Sequence, residues 1–130
     1  MRYDPNQLPD QVLAFLEERH LASLTTLRAD GSPHVVPVGF SWDDSQRTVR
    51  IITFEPSTKV SNVLRGNTRA AVSQVDGGRW LTLEGVARVT RDPAEVKLAL
   101  DGYARRYREP STRSDRVAIE ISVDRVMGRA

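Results

Sequence analysis

Leu21-Ala22-Ser23-Leu24-Thr25-Thr26-Leu27-Arg28-Ala29-Asp30-Gly31-Ser32-Pro33-His34-Val35-Val36-Pro37-Val38-Gly39-Phe40 is the stretch on which the fold turns. Leu21 to Arg28 and Pro33 to Phe40 read as strands. Between them Ala29-Asp30-Gly31-Ser32 carries Asp-Gly, the signal of a tight hairpin. A short turn between two strands predicts antiparallel pairing rather than a strand–helix–strand unit. The pattern repeats downstream. Asp43-Asp44-Ser45-Gln46 is a polar turn before a third strand, Thr48 to Phe54. Ala70 to Val75 is a fourth, and Asp76-Gly77-Gly78 leads into a fifth. There Leu81, Leu83, Gly85, Ala87 and Val89 alternate with Thr82, Glu84, Val86 and Arg88. Val117, Ile119, Ile121 and Val123 alternate in a sixth.

Three helices are predicted. The first runs from Pro9-Asp10 to about Glu18, with Val12, Leu13 and Leu16 on its apolar face. The second starts at Thr58 and stops near Gly66. The third opens at Asp92-Pro93-Ala94-Glu95, which resembles a capping box, and carries Val96, Leu100, Tyr103 and Tyr107 on one stripe. Pro110 to Asp115 reads as a loop. The expected fold is mainly β, of the α+β kind: a six-stranded antiparallel barrel, which leaves few free edges, with about three short helices.

At 130 residues the chain has the length of a single domain, 1–130. Charged residues make up 28% and hydrophobic ones 39%, a balance that suits a soluble globular protein. The net charge of only +2 argues against nucleic acid as a partner. With no cysteine there is no disulfide framework, thiol nucleophile or thiolate metal site, and His20 and His34 are too few for a zinc site without carboxylates. No metal is therefore expected. No signal peptide or spanning segment is apparent, so the expected location is the cytoplasm, away from membranes.

The candidate site begins at Ser57-Thr58-Lys59-Val60-Ser61-Asn62. Of 19 cationic side chains only Lys59 and Lys97 are lysines, and Lys59 stands where a strand turns into a short helix. Unpaired N–H groups there suit an anion, and a lysine is a compact charge that can meet phosphate. The plainer alternative is a capped helix with a solvated lysine. Pro37 cannot donate to a ladder, so it marks an edge, a bulge or a departure from the neighbouring strand. Its strand can offer main-chain groups to a planar heterocycle, or simply be an edge blocked by proline. His34 can donate a proton or orient a cofactor carbonyl, or be structural. Gly77-Gly78-Arg79-Trp80 sets a cation and a large aromatic after a turn, for a ring and a carboxylate or for packing. In Tyr103-Ala104-Arg105-Arg106-Tyr107-Arg108 helical spacing turns tyrosines inward and arginines to water, against a nucleic-acid patch. No Ser–His–Asp order, carboxylate pair or Gly-rich phosphate loop stands out, so no catalytic residue is assigned and activity would come from a bound cofactor.

Taken in order, these pieces resemble the flavin/deazaflavin oxidoreductases, relatives of pyridoxamine 5'-phosphate oxidase with a split β-barrel. The resemblance runs from about Leu13 to Gly128. It rests on Leu24-Thr25-Thr26-Leu27, Asp30-Gly31-Ser32-Pro33-His34-Val35-Val36, Thr53, Ser57 to Asn62, and Arg79-Trp80-Leu81-Thr82-Leu83-Glu84-Gly85. Glu18-Arg19-His20-Leu21-Ala22, Ser73-Gln74-Val75-Asp76-Gly77 and Tyr103 to Arg108 look like the actinobacterial branch that uses coenzyme F420, with its biliverdin reductases. The resemblance implies a homodimer with two cofactor sites at the subunit interface. Ser57, Thr53, Thr58, Lys59 and Asn62 would lie around the cofactor phosphate. His34 and, chiefly, Val36, Pro37 and Val38 would run along the tricyclic ring, and Trp80 with Arg79 would come from the partner subunit. FMN-using relatives often have Arg before the phosphate Lys, where this chain has Thr58, which favours coenzyme F420 over FMN.

The reading that follows is an F420H2-dependent reductase passing a hydride to a conjugated acceptor, biliverdin first, with arginines near the mouth for its propionates and the proton from solvent. The alternatives are an F420-dependent quinone or small-electrophile reductase, an FMN-dependent enzyme of the same fold, and a non-catalytic module that carries cofactor or binds nucleic acid.

Overall fold

A computed structural model describes residues 1–66 and 68–130. The elements are β1 (Arg2–Tyr3), α1 (Asp10–Glu17), β2 (Ala22–Leu27), β3 (Pro33–Val38), β4 (Ser41–Asp43), β5 (Thr48–Phe54), α2 (Thr58–Leu64), β6 (Arg69–Asp76), β7 (Arg79–Thr90), α3 (Pro93–Arg106) and β8 (Arg116–Arg129). The strands form one sheet in the order β3-β2-β6-β7-β8-β5-β4, with β1 beside β8. Every pairing is antiparallel. A mainly β chain with three helices is what the pattern predicts. The six-stranded barrel is not: among the described residues there are eight strands, and the path ends at β3 and β4 without a ladder between them. The two unforeseen strands, β1 and β4, are two and three residues long, too short for alternation to show. β4 also takes up Asp43, which reads as turn.

The first hairpin forms as its residues demand. Gly31 adopts φ +87°, and the Asp30 carboxylate accepts from Ser32 N at 3.0 Å and Ser32 Oγ at 2.6 Å. β3 is an edge strand, paired with β2 alone, so Pro37 leaves no ladder bond unmade. β8 is the hub, pairing with β1, β5 and β7. It runs six residues past the predicted Val123, because Asp124 and Arg125 break the alternation there. Opposite them Glu84 pairs with Arg125 and Gly85 with Val123, which leaves Asp124 as the extra residue of a bulge. A Cβ at Gly85 would stand 1.9 Å from the Ser122 carbonyl oxygen, so only glycine lets the strands cross so closely.

Val12, Phe15 and Leu16 of α1 are buried against the sheet, whereas Leu13 is only partly covered. Phe15, Leu24, Phe40, Ile51, Leu81, Leu83, Ile119 and Ile121 make the fully buried centre. Each contributes about 1.5–3 kcal/mol relative to exposure. A smaller cluster of Val96, Ala99 and Ala118, flanked by Ile52 and Leu100, seats α3. The capping box expected at α3 does not form. Glu95 Oε1 instead accepts from Thr90 Oγ1 at 2.5 Å, and its other oxygen pairs with Arg88. Arg88 belongs to a cross-strand row with Glu120 and Arg50, and that row outcompetes the helix end for Glu95.

Arg106 corrects the expectation that the arginines of α3 face water. It is 8% exposed. Its guanidinium donates to Glu18 O, Phe40 O and Gln74 Oε1, each at 2.8 Å, and lies 4.6 Å from the Phe40 ring centroid. Beside it the Tyr107 hydroxyl donates to His20 O at 2.6 Å. These bonds tie the end of α3 to the α1–β2 link and to the β3–β4 corner. Among the described residues no helix is long and apolar enough to cross a membrane.

Candidate functional site

A cleft of about 460 Å³ opens where β3, β5, α2 and the segment after α3 converge. Pro37, Val38 and Gly39 give one wall as β3 ends. Ile52, Thr53 and Phe54 at the end of β5 give the floor, and Lys59 reaches in from the first turn of α2. Tyr103 and the stretch from Arg108 to Arg116 close the other side. Gly39 permits the close fit of that wall. A Cβ there would lie 2.9 Å from Tyr103 Cε2 and 3.0 Å from Tyr107 Cε2.

The cleft is cationic. Lys59, Arg108, Arg113 and Arg116 line it, against Glu109 as the one carboxylate among its lining residues. Lys59 and Arg113 both lie on the Phe54 ring, at 5.6 Å and 4.1 Å from its centroid. Arg113 is held in a fork by Asp115, with both bonds at 2.8 Å. Lys59 has no such partner: among the described residues no carboxylate lies within 4.0 Å of its Nζ. Burial pushes its ammonium below the ordinary lysine value. Thr53 beside it is 3% exposed, and its hydroxyl has no hydrogen-bond partner. A partly desolvated cation and an unsatisfied hydroxyl in one cleft are a place for an anionic acceptor of hydrogen bonds.

Of the candidate residues, Pro37, Val38, Thr53 and Lys59 line this cleft together. His34, Val36 and Val38 share the inward face of β3, and the buried Nδ1 of His34 has no partner. Ser57 caps α2, its Oγ accepting from Val60 N at 3.4 Å, and Thr58 opens that helix at the surface. Asn62 is fully buried and spends its amide inside the chain. Its Nδ2 donates to Thr26 Oγ1 at 3.0 Å, and its Oδ1 accepts from Arg65 at 2.6 Å. Asn62 thus pins α2 to β2 behind the cleft.

Arg79 and Trp80 do not line the cleft of their own chain. Arg79 donates to Glu18 at 2.8 and 3.1 Å and to Asp76 at 2.5 Å, over the Phe15 ring. That guanidinium, with His20, holds the Glu18 carboxyl down at about 2. Trp80 is 36% exposed at the start of β7. Arg113 and Arg116 are lining residues that the sequence did not single out, and Tyr103 and Arg108, read there as part of a helix stripe and a solvated face, line the cleft as well. The one available cue is Pro110, which forces the chain out of its helix just after two tyrosines and three arginines.

The sequence pattern of the pyridoxamine 5'-phosphate oxidase family matches residues 8–129. An F420H(2)-dependent biliverdin reductase of Mycobacterium tuberculosis is 52% identical over 124 residues, 95% of this chain and 90% of that protein. Among solved structures an F420 reductase superposes with a TM-score of 0.74 at 26% identity, covering 92% of this chain and 98% of that one. A conserved hypothetical protein of Mycobacterium tuberculosis superposes with a TM-score of 0.80 at 22% identity, covering 95% and 84% of the two chains, a likeness of fold. With the family pattern spanning nearly its whole length, the chain belongs to the pyridoxamine 5'-phosphate oxidase family.

Proposed function

We propose that this protein takes a hydride from reduced coenzyme F420 and delivers it to a conjugated acceptor, biliverdin foremost, whose central methine bridge is reduced to give bilirubin. The observation that carries the reading is Lys59: partly buried, without a carboxylate partner, beside the unsatisfied Thr53 hydroxyl in a cleft with a cationic surplus. The identity of the relative supplies the names of cofactor and acceptor. In this reading Lys59 and Thr53, with Ser57 and Thr58 at the start of α2, face the cofactor phosphate. Pro37 and Val38, continued by Val36 and His34, run beside the ring, and Asn62 acts by fixing α2. The deazaflavin supplies the hydride, and the proton comes from solvent. Pro37, Val38, Ile52, Phe54 and Tyr103 orient the ring and keep water from it.

The active unit in this reading is a cytoplasmic homodimer of single-domain chains. Its support is the outward face of β3-β2-β6-β7. Cross-strand register puts Val35 and Pro37 on the same face as Val75 and Trp80, next to Leu21. Leu21, Val35 and Val75 are each more than half exposed there, an unusual apolar strip for a free surface. Trp80 and Arg79 would then serve the partner's cleft.

Fluorescence titration with coenzyme F420 and with FMN tests the cofactor, and an assay of reduced F420 against biliverdin and menadione tests the acceptor. Tighter F420 binding and turnover of biliverdin are expected. Equal or tighter FMN binding would overturn the cofactor, and turnover of menadione alone would overturn the acceptor.

A further inference from the structure

Two histidines are too few for a zinc site unless carboxylates join them, and at His20 the fold supplies the carboxylates. The β6–β7 hairpin brings Asp76 to the α1–β2 link, where Glu18 and His20 stand. His20 Nε2 lies 2.9 Å from Glu18 Oε1 and 4.0 Å from Asp76 Oδ2. One ligand atom from each of the three residues falls within 4.8 Å of the other two. Zinc holds nitrogen and carboxylate oxygen at about 2.0–2.2 Å, so ligand atoms around a tetrahedral ion stand roughly 3.4 Å apart. The separations of 2.9 and 4.0 Å bracket that spacing.

A cation already holds this cluster together, and it is the chain's own. The Arg79 guanidinium bridges Glu18 and Asp76, so the two carboxylates are arranged around positive charge. Arg79 is itself well exposed, and so are both carboxylates, so an ion from solvent can reach them and the arginine can swing out to water. The ligand backbone is fixed from outside the cluster. Glu18 O accepts from Arg106 Nε at 2.8 Å, and His20 O accepts from the Tyr107 hydroxyl at 2.6 Å. The His20 ring stands edge-on to Phe15, with centroids 5.3 Å apart. Two of the three ligands are therefore held in place before any ion arrives. Glu18, His20, Asp76 and Arg79 all stand outside the lining of the cationic cleft.

We propose that Glu18, His20 and Asp76 form a binding site for a divalent transition-metal ion of the zinc type, for which Arg79 competes. An imidazole nitrogen beside two carboxylates suits zinc or cobalt, whereas magnesium and calcium take oxygen ligands. His20 binds through Nε2 as the neutral ring, with its proton on Nδ1, and the two carboxylates bind ionised. The ion enters between the three side chains, and the Arg79 guanidinium leaves Glu18 and Asp76 for water. The site is independent of the reductase reading, since it shares no residue with the lining of the cationic cleft.

The test is titration of the full chain with zinc chloride, followed by calorimetry and by the imidazole NMR signals, which come from His20 and His34 alone. The parent, His20→Gln, Asp76→Asn and Arg79→Gln are compared, with thermal melting measured alongside. One equivalent of zinc should shift the signals of one ring, and His20→Gln should remove that ring. His20→Gln and Asp76→Asn should each weaken zinc at least about tenfold, the scale of losing a group that holds a metal. Asp76 is exposed at the end of β6, so its variant keeps the test sound if His20→Gln, whose ring packs on Phe15, melts early. Arg79→Gln removes the competing charge and should tighten zinc severalfold or more, which a purely structural ion pair does not predict. Cobalt chloride should give the visible absorbance of a nitrogen- and oxygen-ligated ion in the parent and lose it in His20→Gln. No zinc binding by either the parent or Arg79→Gln, a shift confined to the His34 ring, or equal or weaker zinc binding in Arg79→Gln would each overturn the proposal.

Discussion

Lys59 is the residue at which sequence and geometry meet most directly. A cation that is partly desolvated and faces no carboxylate is disfavoured in the free protein, and a bound anion removes that cost. Lys59→Ala should therefore weaken F420 binding by about 1.5–3 kcal/mol, the scale of a hydrogen bond to a charged group. Melting of the cofactor-free protein should hardly move. A large melting shift with unchanged affinity would make Lys59 a scaffold residue. The direction of its pKa gives a second expectation. Anion binding needs the ammonium form, so affinity is full below the free protein's lowered pKa and falls as pH rises through it, short of the ordinary 10.5. In Lys59→Arg the alkaline loss should disappear. An identical alkaline loss in both proteins would assign it to another group. Lys59 is legible in the sequence because it interrupts an arginine habit. Asn62 is less so: its place in the motif is plain, but whether an amide faces a ligand or a buried Thr26 depends on burial, which spacing does not encode. Arg116 carries no local signal, since it joins Thr53 in the lining of one cleft only once distant segments have packed.

At the scale of elements, the end of α3 is held by one buried guanidinium rather than by the apolar stripe that its sequence displays. Arg106 satisfies Glu18 O, Phe40 O and the buried Gln74 amide at once, and burial disfavours its charge. Arg106→Met keeps much of the bulk but strips Gln74 Oε1, Glu18 O and Phe40 O of a donor, since the one Tyr107 O–H is spent on His20 O. A loss of about 2–4 kcal/mol in urea unfolding is expected. Arg106→Lys should recover little, because one ammonium cannot span three acceptors in a plane. A loss under about 1 kcal/mol in Arg106→Met would mean that water replaces the guanidinium easily. The hairpins were legible because Asp-Gly and Gly-Gly turns act through their own few residues. Arg106 was not, because its acceptors come from the α1–β2 link, β6 and the β3–β4 corner. The capping box at α3 failed for a related reason: Glu95 had a better partner in Arg88, 32 residues by sequence from the Glu120 that Arg88 also binds.

At the scale of the whole molecule, the sheet has two faces with different uses. The inward face carries the core and leads along β3 to the cleft. The outward face of β3-β2-β6-β7 leaves Leu21, Val35, Val75 and Trp80 uncovered, and Trp80 does not line its own chain's cleft. A second copy packed on that strip would bury it and could bring Trp80 to the other chain's Lys59. Mixed dimers decide the matter, with Lys59→Ala on one chain and Trp80→Ala on the other. If the two residues act across the interface, both lesions fall in one site and the second site stays whole, so about half of the parent activity per dimer survives. If they act within one chain, each site carries one lesion and activity drops to the level of the single variants. Leu21→Glu and Val75→Glu, placed in the strip and away from the lining of the cationic cleft, should split the dimer and lower cofactor affinity together. A protein that sediments as a monomer at assay concentration and still turns over normally would remove the shared site and leave the cleft complete within a single chain.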